Sequence, residues 1–433
     1  MSQPSPEDQI VETLTNLGES WLEVDYDPRE WRTDALPMSL EESTARKETL
    51  IQIQTSLLPS VKQQLNDLLR SFGLADDVPQ PKLDAALEIT SKFGSEIERV
   101  ESAIISLAPW VIRRGRLPSS IDANDGVLKK FRSDQLMWDF RFMLYNELRG
   151  KDNDIRGLFL DYVEYITSGQ LNPDHPSDSE DDSKPKLKDQ IIHKTALLSR
   201  QIDDMVQCST RSDYGVLQHE WKLYVGYISE LLPQLTAGIQ ALNTPQAQSM
   251  STDQPEPSSE LTGLVKPLLI KLFQRSAAII KLVRIFLNKL IDTPTRKTPI
   301  AFGDNWTSDQ LVSFQCEITS ICTSIEDALE SLVSIPENGQ VTIRDLNHMD
   351  RFASQARKHM EDGLAQLANF MIPAGSSATP PSPKVIFDDL FSDFVPQFNL
   401  SIQNFKNDIA TMQTHLEKST QLDFQGSPMV TLR

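Results

Sequence analysis

Apolar positions recur every three or four residues along almost the whole chain, and strict alternation is scarce. That period predicts helices rather than strands. Ser5-Pro6 opens a short helix reaching Gly18, whereas "WLEVDYDPREWRTDALPM" (21–38) has no period and reads as a long ordered loop. Ser39 followed by Glu42 is a capping-box pair. It starts a helix with apolar residues at Leu50, Ile53, Leu57, Val61, Leu65, Leu68 and Phe72, bent at Pro59 and ended by Gly73. At a rise of about 1.5 Å per residue this helix is roughly 50 Å long, which suits a bundle. Further helices are expected over 82–108, 125–149, 152–168, 187–209, 213–243, the segment 266–290, 308–335 and 343–372. A last helix carries Phe387, Phe391, Phe394, Phe398, Phe405, Ile409 and Met412 on one stripe.

Three stretches interrupt the period. "QLNPDHPSDSEDDSKPK" (170–186) combines prolines with a run of acids and reads as a solvated linker. It divides the chain into an N-terminal bundle, 1–169, and a C-terminal bundle with an extra last helix, 187–433. Two more Pro/Ser-rich linkers follow, one at "TPQAQSMSTDQPEPSSE" and one at 373–383. Across this divide, short words recur in the same order. "DQIV" (8–11) matches "DQII" (189–192), and "LLPSVKQQLNDL" (57–68) matches "LLPQLTAGIQAL" (231–242). "SAIISL" (102–107) matches "AAIIKL" (277–282), and "SDQL" occurs at 133–136 and again at 308–311. The offsets are 181, 174, 175 and 175 residues. Their near-constancy points to a tandem duplication. The expected fold is all-α: two tandem, related long-helix bundles joined by an acidic linker.

Charge changes this picture at one place. The formal net charge is −19 and the pI about 4.8, a field that repels nucleic acid. Yet "KPLLIKLFQRSAAIIKLVRIFLNKL" (266–290) holds six cations and no anion. On a helical wheel Leu269, Leu272, Ile279, Ile280, Val283, Phe286, Leu287 and Leu290 share one arc. Lys266, Lys271, Arg275, Lys281, Arg284 and Lys289 occupy the other. The repeat supplies a control: the matching window 91–114 has a net charge of +1 against +6 for 266–289. The bundle position itself therefore does not require cations. Two uses compete, internal pairing with acidic neighbours such as "EDALE" (326–330) and an anion-binding face for a protein partner or anionic lipid.

Other chemistry is sparse. Cys208, Cys316 and Cys322 are an odd set without metal or redox spacing, and Cys322 is in phase with the apolar Leu311, Ile318, Ile325 and Leu329. The N-terminus has no secretory signal pattern and no segment is apolar enough to span a membrane, so the expected setting is cytoplasmic or nuclear. Ser177 and Ser179 precede acids at the spacing of acid-directed kinase sites. No GxSxG, Walker A, GxGxxG or HExxH occurs, and no metal or cofactor set is recognised. "DNDIRG" (152–157) imitates the start of a calcium loop but lacks the acid at position twelve, so it reads as an Asp-rich helix start. His348 and His359 have no metal-spaced partner.

The words "AAIIKLVRIFLNKL" and "SDQL" resemble a helical family of rust-type and related basidiomycete fungi, over residues 260–320. The resemblance implies an α-helical fold and carries over no catalytic residue. The expectation is thus a non-enzymatic adaptor binding a protein partner through the basic helix. Peripheral attachment to an anionic membrane is the alternative and a helical-bundle enzyme the third reading.

Overall fold

The structure, a computed structural model, describes residues 4–20, 39–75, 80–107, 122, 124–145, 154–169, 171, 187–244, 259–292, 300–302, 306–338, 341–373 and 383–426. The fold is all-α and consists of two helical bundles in tandem. The long loop at 21–38 and the linker serines Ser177 and Ser179 lie outside the described residues.

The first unit comprises 1–216 together with 304–310. Its helices are α1 (Pro6–Ser20), α2 (Leu40–Gln52), α3 (Leu58–Ser71), α4 (Leu83–Leu107), α5 (Lys130–Leu144), α6 (Ile155–Thr167) and α7 (Leu187–Thr210). The Ser39 hydroxyl accepts the Glu42 N–H at 3.1 Å, but the Glu42 carboxylate turns to Arg46 and leaves the reciprocal half of the box unmade. Between α2 and α3 the chain stays helical but widens into a π turn, Ile53–Leu57, where the Leu58 N–H reaches the Ile53 carbonyl. Pro59 follows directly and brings no N–H to the ladder, which is why the bend takes this form. Gly73 ends the run at φ +67°, the left-handed conformation open to glycine. Asp154 caps α6 by accepting the Gly157 N–H at 2.6 Å, so "DNDIRG" is a helix start.

Two expectations fail here. The helix expected over 125–149 begins only at Lys130, after a separate 3-10 turn at Gly126–Leu128, because Lys129 is extended at ψ 140°. The boundary also does not fall in the acidic linker. Helix α7 buries Ile191, Leu198, Ile202 and Met205 in the same core as Val61, Leu65 and Phe159. It is tied to α3 by Lys62–Asp203 at 2.6 Å and Asn66–Ser199 at 3.3 Å. A solvated linker marks a chain excursion; a domain ends where the shared apolar core ends.

The second unit comprises 217–303 and 311–433. It holds most of α8 (Asp213–Asn243), then α9 (Ser259–Asp292), α10 (Ser308–Asn338), α11 (Ile343–Phe370), α12 (Pro383–Phe391) and α13 (Phe394–Gly426). A two-stranded antiparallel ribbon, β1 (Ile300–Phe302) and β2 (Met371–Pro373), pairs Ala301 with Ile372. The last helix, expected to be continuous, breaks at residues 392–393 into α12 and α13. Pro396 sits in the first turn of α13, where a missing N–H needs no partner. The aromatic stripe is satisfied within its own unit: Phe286 stacks on Phe394 at 5.3 Å and meets Phe391 at 5.8 Å. Phe391, Phe394, Phe398 and Phe405 are all buried.

The recurring words fall on elements in matching order: α1 with α7, the π turn and α3 with α8, α4 with α9, and α5 with α10. Packing rearranges one member. In the first unit α1 rests on α4 and α6, with Gly18 beside Arg156 at the start of α6. In the second unit that place, on α9 and α11, is filled by α13, whose Gln413 bonds Asn347 at the start of α11. The extra C-terminal helix replaces the helix that the first unit retained.

Candidate functional site

Helix α9 is amphipathic as its sequence requires. Leu272, Phe273, Ile280, Val283, Phe286 and Leu287 are fully buried, and Leu269, Ser276, Ile279 and Leu290 complete the inner arc. Phe273 also packs against Gly238 of α8, so closely that a Cβ there would come within 2.4 Å of the ring. Glycine fits that crossing because the Phe273 ring occupies the space that a Cβ would take.

The six cations separate into three groups. Arg275 pairs with Asp408 of α13 at 3.2 Å. Lys289 donates to the Leu390 carbonyl at 2.7 Å, near the end of α12, and lies 5.9 Å from the Phe391 ring centre. A cation at a helix C-terminus meets the carbonyls that have no intrahelical donor. Arg284 is half-buried, and its Nε has no hydrogen-bond partner among the described residues. Lys266, Lys271 and Lys281 have neither a hydrogen bond nor an ion pair among the described residues. Lys271 and Lys281 are exposed and Lys266 is half-buried. The acidic partner of Arg275, Asp408, comes from α13.

Sequence periodicity overlooked what lies between the lysines. Ile285 is 49% exposed and Leu400 of α13 is 61% exposed; Leu282 is half-buried and Ala278 exposed. The available signal was phase: Leu400 sits opposite the phenylalanine stripe of its own helix, a position the bundle does not need to be apolar.

The first unit handles charge differently. The Lys129 side chain is 1% exposed and its Nζ lies 2.6 Å from Asp213 Oδ2, with Arg132 at 3.7 Å from the other oxygen. Arg132 also donates to the carbonyls of Ser209, at 2.9 Å, and Arg211, closing the C-terminal end of α7. Burial pulls its guanidinium down from the ordinary arginine range, and Asp213 counters that. Asp122 accepts the Ser308 N–H at 2.9 Å and the Ser308 hydroxyl, while the Ser308 oxygen accepts the Phe131 N–H at 2.8 Å. Each of these residues has a structural partner, and together they tie α5 to the start of α8 and of α10.

The remaining sequence candidates are equally occupied. His359 Nδ1 is 2.7 Å from Glu317, and His348 lies edge-on to Phe352. Burial pushes the Cys322 thiol up to about 12, so it is a core thiol and not a nucleophile. Asp161 pairs with Lys194 at 2.7 Å. Among the described residues no group of three or more His, Cys, Asp and Glu could hold a metal ion. The hollow lined by Ser276, Ile325, Ala328, Ala353, Ala356 and Phe405 measures about 20 Å³, room for about one water. No described helix is long and apolar enough to cross a membrane.

Residues 46–210 match the family model described as Domain of unknown function (DUF8723), and residues 212–407 match Domain of unknown function (DUF8721). The chain therefore carries two adjacent domains of unknown function. They meet at the turn between α7 and α8, within a few residues of where the packed cores divide. No curated protein matches the sequence.

Proposed function

We propose that the protein is a non-enzymatic adaptor that binds an acidic segment of a protein partner through the outer face of α9. One observation carries the reading. Lys266, Lys271 and Lys281 project from a helix whose apolar arc is already buried, and no described residue of this acidic chain pairs with them. A face that gathers six cations and leaves three of its lysines unpaired among the described residues of an acidic chain is available to an anion from outside. A cytoplasmic or nuclear setting fits the free thiols of Cys208, Cys316 and Cys322.

The membrane alternative is weaker on physical grounds. A surface helix binds a bilayer by sinking a broad apolar face into it, and the broad apolar face of α9 is inside its own bundle. A fluorescent oligoglutamate titrated into the full chain at low salt tests the proposal. Binding should be lost on raising salt and in a variant with Gln at 266, 271 and 281. Binding unaffected by those changes, or flotation with anionic vesicles and no peptide binding, would overturn it.

A further inference from the structure

We infer that the occupant of this face is an acidic amphipathic helix, seated along the groove between α9 and α13. The inference rests on the adaptor reading and names its partner. The two helices run antiparallel, because Arg275 meets Asp408 while Phe286 stacks on Phe394. Interpolating between those contacts sets Lys281 level with Leu400. On that register Leu282, Ile285 and Leu400, half-buried or exposed, fall within about one helical turn of one another along the axis, with the small side chain of Ala278 a turn before them. Lys271 stands ten residues before Lys281, about 15 Å along the axis. Asp408, the carboxylate bordering the groove, is neutralised by Arg275.

This arrangement selects among partners. The groove is walled by two α-helices whose backbone groups are used internally, so it offers no strand edge, and a third helix fits by laying its side-chain ridge between them. The apolar run accepts two or three side chains spaced one helical turn apart. Lysines on its flank accept carboxylates on the partner's polar face. Three apolar side chains anchor a helix but are too few to insert in a bilayer.

The test uses the full chain and three probes: a Leu/Glu peptide that is helical in isolation, the same peptide interrupted by two central prolines, and an oligoglutamate of equal charge. The helical peptide should bind about tenfold or more tightly than the other two. Leu400→Ser and Ile285→Ser, both at exposed positions and checked for unchanged helicity, should each weaken it several-fold without altering the weak oligoglutamate binding. Lys281→Gln should weaken both and lower the salt dependence. Equal affinity for all three probes, still dependent on the lysines, overturns the helical occupant and leaves an acidic partner standing. No binding of any acidic probe sinks both. Self-association of the chain that Leu400→Ser abolishes would assign the groove to a second copy and also overturn the inference.

Discussion

Helices α4 and α9 hold matching places in the two units, yet they treat charge in opposite ways. On α4, Lys92 pairs with Glu88 at 2.5 Å and Arg99 with Glu96 at 2.6 Å, while Glu101 takes Arg141 of α5 at 2.7 Å. On α9, Lys266, Lys271 and Lys281 have no partner among the described residues. The contrast extends to the units as wholes. The first buries the cations Lys129 and Arg132 and sets both against the half-buried Asp213. The second keeps an unbalanced cationic row at its surface. A scaffold position tolerates either solution, and the proposed use of the surface is what would favour open lysines on α9.

The comparison can be broken most sharply at Lys129. Lys129→Met removes the buried partner of Asp213 and leaves it only Arg132 at 3.7 Å, so the first unit should lose about 3 kcal/mol, read from chemical denaturation. A loss below about 1 kcal/mol would mean that the buried charges are not structural. Next is pH. Burial raises the Asp139 carboxyl to about 7, opposed by the Gln135 amide 3.0 Å away. Its folded value lies above its unfolded value, so this stabilisation is complete below about pH 4 and is lost as pH rises through 7. Wild type should be less stable at pH 8 than Asp139→Asn relative to their difference at pH 5, by on the order of 1 kcal/mol. Parallel stability–pH curves for the two proteins would refute it.

On the second unit the effects should be smaller. Arg275→Gln breaks an ion pair whose arginine is 46% exposed, so the expected cost is about 0.2–1 kcal/mol and falls with added salt. Lys281→Gln should change stability by less than about 0.5 kcal/mol while weakening anionic-probe binding. A destabilisation of about 1 kcal/mol or more would show that Lys281 serves the bundle, and the contrast with α4 would disappear.

Much of this was legible in the residues. The period fixed the helices, and Gly73, Asp154 and Ser39 marked their ends as capping chemistry demands. The buried arc of α9 and the burial of Cys322 followed from phase alone. The site was legible as six cations but not as three. Only packing shows that Arg275 and Lys289 are engaged by α13 and α12, and only the antiparallel register of α9 and α13 brings Leu400 level with Lys281.

Local physics accounts for the division. Helix propensity, capping and amphipathic phase act within a turn or two of the chain, so the sequence by itself determined an all-α protein with a cationic helix in its second half. Which helix fills which place depends on contacts between residues far apart in the chain. The acidic linker therefore looked like the boundary, whereas the apolar residues of α7 join the first core. For the same reason only the tertiary structure decided that α13 covers α9, closing the inner arc and leaving Lys266, Lys271 and Lys281 on the outside.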